Sequence, residues 1–257
     1  MNSDKIPKII ALIPARSGSK RITDKNIRFL KGHPLIAYTI ASALKSHIFD
    51  RVIVSTDSSL YASIAEYYGA EVPFLRPAAF AGDKSPDIEW IEYTLNKLDE
   101  EAHGAECFCI LRPTNPFRSS ETIKRAWTEF LSDHKIHSLR AVELCAQHPG
   151  KMWVVSGSRI YPLIPLGSEQ LPWHSQPYHA LPNVYIQNAS IEIAWIKVVF
   201  ETRTIAGTVI KPFFTDGYEG FDLNYDYDWR IAEDLLLNNK VRLTNIKQEP
   251  FQLKNNL

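Results

Sequence analysis

Residues 9–26 read IIALIPARSGSKRITDKN, and the fold follows from how this stretch is read. Ile9, Ile10, Ala11, Leu12 and Ile13 are apolar without alternation, the pattern of a short strand buried on both faces. Pro14 ends the run because it cannot donate to a sheet ladder. Arg16, Ser17, Gly18, Ser19, Lys20, Arg21, Lys25 and Asn26 follow, a set of cations and small residues around one glycine. A loop of this make-up after a strand can present backbone N–H groups and side-chain charges to one polyanion. It is neither of two better-known phosphate loops. G-x-x-x-x-G-K-[ST] lacks its first glycine, and G-x-G-x-x-G finds only Gly18. A solvated basic turn is the plainer reading of the same charges.

Outward from this stretch, strand and helix patterns alternate. Leu35, Tyr38, Ile40, Ala41 and Leu44 predict a helix behind Pro34 to about residue 46. Residues 51–55 read as a strand ended by Thr56 and Asp57, with Ser58 or Ser59 placed to cap a helix that Gly69 ends. A third short strand is predicted at 71–75, a loop at 76–86, and a helix at 88–98 on Ile88, Ile91, Leu95 and Leu98. A strand at 107–111, a helix from Ser119 or Ser120 to 131, and a strand at 138–144 follow. This rhythm implies right-handed βαβ crossovers and an α/β fold: a mainly parallel sheet with helices on both faces. Ligands of such sheets lie beyond the carboxyl ends of the strands, so the loops at 14–26, 55–58, 76–86 and 112–118 should converge on one pocket.

From about 145 to 188 the rhythm breaks into prolines and the aromatics Trp153, Trp173 and Tyr178. The core resumes with strands at 190–196 and 207–214 and a closing helix over 229–237, for which Asp226 or Asp228 can serve as N-cap. The 257 residues, 45% of them hydrophobic, suffice for one large domain. Zero formal net charge argues against bulk nucleic-acid binding and confines any polyanion site to a local patch. Cys107, Cys109 and Cys145 lack metal-ligand spacing, as expected of a reduced, cytoplasmic protein. The residues MNSDKIPK show no signal-peptide core, and no apolar run reaches about 18 residues, so no membrane partner is expected.

The opening stretch resembles the nucleotide-binding signature of the CMP-N-acylneuraminate (sialic acid-type) cytidylyltransferases, roughly [IL]-[PL]-A-R-x-x-S-K-x-x-x-x-K-N. Ala15, Arg16, Ser19, Lys20, Lys25 and Asn26 stand in register with it. Later segments follow the family's order. Ser55-Thr56-Asp57 matches S-T-D, Arg76-Pro77 matches R-P, and Gly82-Asp83-Lys84-Ser85-Pro86 resembles its nucleotide-holding segment. The run from Arg112 to Arg118 resembles Q-P-T-S-P-L-R, with arginine for glutamine. His148-Pro149-Gly150-Lys151 resembles H-P-x-K, and Leu181-Pro182 with Asn188 resembles L-P-x-x-x-x-x-N. Phe221-Asp222-Leu223-Asn224 stands where the family has apolar-D-[IL]-D.

The resemblance implies one cytidylyltransferase domain over residues 1–257. Its fold would be three-layered and nucleotide-diphospho-sugar transferase-like, with a protruding dimerisation and sugar-binding arm at about 145–188, hence a homodimer. It implies transfer of CMP from CTP to the anomeric hydroxyl of a nonulosonic-type 2-keto sugar acid, with release of pyrophosphate. Arg16, Lys20 and Asp222 would be catalytic. Ala15, Arg16, Ser19, Lys20, Asn26, Arg76, Asp83 and Ser85 would bind the nucleotide, and Arg112, Lys151, Tyr178, Asn188 and Glu192 the sugar acid. Mg²⁺ or Mn²⁺ would lie on Asp222 and Asn224, the latter offering oxygen without charge. By itself, Asp222 also reads as a turn aspartate, Asn26 as a turn residue, and Arg112 as a partner for Glu192. The chain departs from the family where Tyr178 stands near a usual arginine and where Asn188-Ala189-Ser190-Ile191-Glu192 replaces N-G-A-[IL]-Y. Another nucleotidyltransferase of the same fold and a non-catalytic nucleotide-binding homologue are the rival readings.

Overall fold

A computed structural model describes residues 6–99 and 104–252. In chain order the strands and α-helices are β1 (Ile9–Pro14), β2 (Phe29–Leu30), β3 (His33–Pro34), α1 (Leu35–Ser46), β4 (Arg51–Ser55), α2 (Ser59–Tyr67), α3 (Asp87–Asp99), β5 (Cys107–Ile110), α4 (Ser120–Leu131), β6 (Ser138–Leu144), β7 (Trp153–Ser156), β8 (Arg159–Pro162), β9 (Tyr185–Trp195), α5 (Ile196–Thr202), β10 (Ile210–Phe214) and α6 (Asp226–Leu237). By internal contacts the chain divides into two compact units, Met1–Ala141 with Asn188–Leu257, and Val142–Gln187.

The larger unit is built on a sheet of order β10-β6-β9-β5-β1-β4. β1 pairs in parallel with β4 and β5, and β9 runs antiparallel to β5. Alternate residues of one strand enter opposite layers. Ile9, Ala11 and Ile13 pack with Ile36, Ile40, Ile64, Ile123 and Phe130 of α1, α2 and α4. Ile10 and Leu12 pack with Trp90, Ile91 and Leu95 of α3 and Val199 of α5. This is why the strand shows no polar alternation: each side chain removed from water contributes about 1.5–3 kcal/mol on either face. A third cluster joins Ile22, Leu30, Tyr38 and Phe117 to Leu223 and Trp229, tying α6 to the loops after β1 and β5.

Helix ends form where the side chains can serve them. Ser58 accepts the Tyr61 N–H with its Oγ (3.4 Å), and Ser119 with Thr122 makes a reciprocal capping box (3.1 and 3.3 Å). Gly69 follows α2 at φ +91°, a left-handed conformation glycine adopts without strain. At α6 neither aspartate is the N-cap: Tyr225 holds that position, and Asp228 reaches back to accept the Asn224 and Tyr225 N–H groups (2.8 Å each). The strand predicted at 71–75 reduces to one parallel bridge between Ile53 and Glu71. Pro73 has no N–H to carry the ladder further. Among the described residues no helix is long and apolar enough to cross a membrane.

Candidate active site

The chain leaves β1 through α1 towards β4, and leaves β5 through α4 towards β6 on the other side. The loops after β1 and β5 therefore diverge from adjacent parallel strands, which opens a crevice at their carboxyl ends. A third segment, 220–224, is fastened to both loops. The Leu223 N–H donates to the Thr114 carbonyl (2.9 Å), Asn115 Nδ2 to the Phe221 carbonyl (2.9 Å), and Lys25 Nζ to the Leu223 carbonyl (2.7 Å). Those bonds bring Asp222, nearly two hundred residues away in sequence, to the mouth of β1.

In the loop after β1, Ala15 is buried and its N–H extends the ladder to the Ser55 carbonyl (3.0 Å). Gly18 turns at φ +69°, with open space where a Cβ would stand, and Ser19 is half-buried beside it. Asn26 is buried and donates to the Arg16 carbonyl (3.3 Å), so it ties the two ends of the loop together. The Arg16 guanidinium lies 2.7 Å from Asp83 Oδ1, and Lys20 pairs with the other oxygen of the same carboxylate. Hydrogen bonds from Lys20 and then Arg16 hold the Asp83 carboxyl below its ordinary range. Two loop cations thus converge on one anionic group, the geometry a phosphate oxygen pair would ask of them. Ser85 bonds back to the Ala79 carbonyl (3.2 Å) within the same 76–86 loop.

Arg76 is placed differently from a side chain reaching into the crevice. It is buried, lies 4.7 Å over the Trp90 ring, and bonds Ser55 through Nε to Oγ (3.0 Å) and Nη2 to the carbonyl (2.8 Å). Burial lowers its pKa to about 10, which leaves it charged at neutral pH.

Asp222 and Asn224 are adjacent in space as well as in sequence. Asn224 Nδ2 donates to Asp222 Oδ2 (2.6 Å), while Asp222 Oδ1 is buried with no hydrogen-bond partner among the described residues. A buried, unsatisfied carboxylate oxygen is costly unless a cation or donor meets it, so Asp222 suits a hard divalent ion. Among the described residues no cluster of three His, Cys, Asp or Glu could hold a metal alone. One carboxylate completed by substrate phosphates and water is an ordinary Mg²⁺ arrangement. Lys25 is half-buried beside it; burial pulls its pKa down, and among nearby charges Asp222 raises it and Arg16 lowers it.

On the other side of the crevice, Arg112 Nη2 donates to Asp87 Oδ2 (2.5 Å) and Glu192 Oε1 (3.0 Å), and Arg140 pairs with Glu192. Burial pushes the Asp87 carboxyl up, but Arg112, the Trp90 indole N–H and Arg76 together hold it below its usual value. Two carboxylates and two guanidiniums balance in a chain, and the pairing of Arg112 with Glu192 is the one its sequence allowed as the alternative to a substrate carboxylate. Because Nη2 belongs to both bidentate edges of a guanidinium, Nε and Nη1 are the groups left for another ligand. Arg118 is fully buried and donates to the carbonyls of Ser190 (2.5 Å) and Arg112 (3.1 Å) and to Thr39 Oγ1 (3.1 Å), which fixes the backbone under Arg112. Asn188 Nδ2 bonds Thr215 Oγ1 (2.9 Å). Sequence reasoning met Asp57 and Arg118 only as members of signature segments, without a role, and singled out neither Asp87 nor Arg140; their long-range partners lie 25 to 79 positions away, where no local periodicity marks them.

In the smaller unit β7 and β8 form an antiparallel hairpin. Lys151 Nζ donates to the carbonyls of His174 (3.1 Å) and Gln176 (2.5 Å) and stands 5.2 Å from the Tyr178 ring centroid, so these two predicted sugar contacts are neighbours. Tyr178 is exposed, as are Val155, Ile160, Tyr161 and Leu171.

Residues 10–143 match the family model described as Cytidylyltransferase. The chain is 34% identical over 241 residues to the CMP-N,N'-diacetyllegionaminic acid synthase of Legionella pneumophila, covering 92% of this chain and 99% of that protein. It is 49% identical over 119 residues to the N-acylneuraminate cytidylyltransferase of Escherichia coli, covering 46% of this chain and 27% of that longer protein. In fold it is similar to CMP:2-keto-3-deoxy-manno-octonic acid synthetase complexed with CTP, with a TM-score of 0.67 at 14% identity over 90% of this chain and 99% of that one. With its crevice at the β1/β5 switch point and its signature on the loop after β1, the chain belongs to the cytidylyltransferase family.

Proposed function

We propose that this protein transfers CMP from CTP to the anomeric hydroxyl of a nonulosonic-type 2-keto sugar acid, such as a sialic or legionaminic acid, and releases pyrophosphate. The observation that supports the reading is that Arg16 and Lys20 share Asp83 on the loop after β1, while Asp222, whose Oδ1 has no partner among the described residues, is fastened to Lys25 of that loop through its neighbour Leu223. The sugar hydroxyl oxygen forms a bond to the α-phosphorus, the α–β phosphoanhydride bond breaks, and the hydroxyl proton leaves to solvent. Negative charge spreads over phosphate oxygens in that transition state, so the residues act by positioning and by charge. Arg16 and Lys20 exchange Asp83 for the phosphates, and Asn26 and Ala15 hold their loop. Ser19, Asp83 and Ser85 complete the nucleotide side, and Arg76 braces the end of β4 beneath it through Ser55. Asp222, with Asn224, would hold Mg²⁺ or Mn²⁺, which neutralises phosphate charge when bound. Measuring pyrophosphate release with each nucleoside triphosphate, Mg²⁺ and a panel of 2-keto sugar acids tests this. Turnover is expected only with CTP and a nonulosonic acid together.

The sugar side comprises Arg112, Glu192 and Asn188; Lys151 and Tyr178, neighbours within the smaller unit, are separate candidates for a sugar contact. Arg112→Gln should raise the KM for the sugar acid tenfold or more, a loss of about 1.4 kcal/mol, and leave the KM for CTP little changed. The substitution removes a cation facing the acid and leaves Glu192 to Arg140 and Asp87 to the field of Arg76. An unchanged sugar KM would remove Arg112 from the site and make Lys151 the next residue to test.

The active form is proposed to be a cytoplasmic homodimer through the 142–187 unit. Its support is the set of exposed apolar side chains there, among them Val155 at 72% and Leu171 at 63% accessible, which a partner surface would cover. Light scattering at micromolar concentration should give twice the chain mass; a monomer would contradict the assignment.

A further inference from the structure

We infer that Asp57 is a positioning residue whose carboxylate sets the phosphate-binding geometry of the loop after β1, an inference that rests on the nucleotide reading of that loop. Asp57 Oδ1 accepts the Ser17 backbone N–H (2.7 Å) and Oδ2 accepts the Ser17 hydroxyl (2.8 Å). The two residues follow neighbouring parallel strands, so this pair joins the ends of β4 and β1 across the crevice floor.

The Asp57 side of the clamp is rigid. Thr56 is fully buried, its carbonyl accepts the Arg76 N–H (2.7 Å), and its hydroxyl accepts the Ser58 N–H (3.2 Å) just before α2. The loop side is loose: Gly18 lies at positive φ in open space and the Lys20 side chain is 80% exposed. Within residues 17–20, besides the Lys20 pair to Asp83, the side-chain bonds seen among the described residues are the two to Asp57. A carboxylate beside a triphosphate site is electrostatically unfavourable in itself. Its presence is accounted for by two charge-assisted bonds that aim the Gly18–Lys20 backbone and the Arg16 side chain before the ligand arrives.

Positioning and charge make opposite demands on the isostere. Asp57→Asn can still accept the Ser17 N–H and donate to the Ser17 hydroxyl, so a positioning role survives loss of the charge. A role as metal ligand or proton acceptor does not. We therefore expect Asp57→Ala to weaken CTP binding by calorimetry about tenfold or more, with faster amide exchange across residues 17–20. Asp57→Asn should stay within about threefold of the parent and retain protection, and Ser17→Ala should fall between them. The KM for the sugar acid should not move in any of the three. Asp57→Asn as damaging as Asp57→Ala, or a Ser17→Ala protein with parental affinity and exchange, would overturn the inference. If Asp57→Ala folds poorly, the Asn and Ser17 variants decide it alone. Loosened exchange in a protein whose parent does not bind CTP would leave the clamp standing and reject the nucleotide reading instead.

Discussion

Arg16→Ala and Lys20→Ala are each expected to lower turnover by two orders of magnitude or more with little change in melting temperature. Arg16 and Lys20 contribute nothing to the three apolar clusters, and their shared partner is a solvent-facing carboxylate. An exposed ion pair of this kind contributes about 0–1 kcal/mol to stability. Facing the developing charge of a phosphoryl transition state, the same groups are worth far more. Loss of one preorganised donor costs about 3 kcal/mol, roughly a hundredfold in rate. Arg16 presents two N–H groups in a fixed plane and Lys20 a single mobile charge, so Arg16→Lys should recover only part of the loss. Steady-state kinetics beside thermal unfolding would check both halves. Near-parental turnover in either alanine variant would take this loop out of the active site.

Asp222→Asn is expected to have the largest effect of any single substitution, close to complete loss of activity. The side chain is held by Asn224 on one oxygen and has the other buried with no partner among the described residues, so neutralising it removes a carboxylate charge at that point. The folded chain should survive, because the Asn224 bond can re-form to an amide oxygen. Asn224→Asp tests the same place from the other side. It replaces a donor to Asp222 with a second carboxylate, which should lower thermal stability without metal and lower the Mg²⁺ concentration needed for half-maximal rate. Full activity of Asp222→Asn, or of the parent protein in EDTA, would reject the assignment.

The alternation of buried runs and amphipathic segments marked β1, β4, β5, β6, α1, α2, α3 and α4, since each is specified by its own periodicity. Where a segment depends on a distant partner, the pattern failed. Residues 71–75 look like a strand but meet β4 at a single residue, and α5 is short and follows β9 without a break, so its first residue falls in the predicted strand and the rest has no predicted element. The same division holds at the crevice. The loop cations and Asp222 were legible because they stand in signature segments. The Asp87–Arg112–Glu192–Arg140 chain joins a helix, the loop after β5 and two strands, and only its Arg112–Glu192 link had been considered. Arg76 shows the limit most plainly: its motif suggested a ligand contact, while its burial over Trp90 directs the guanidinium to Ser55.

The central claim is that the crevice at the ends of β1 and β5 joins CMP to a 2-keto sugar acid. Phosphorus NMR of the protein with CTP, Mg²⁺ and a sialic or legionaminic acid tests it most directly. A phosphodiester resonance of the CMP-sugar should grow in step with pyrophosphate, and both should vanish when the sugar acid is omitted. Pyrophosphate released without a matching phosphodiester, or CTP left intact with every nonulosonic acid offered, would contradict it.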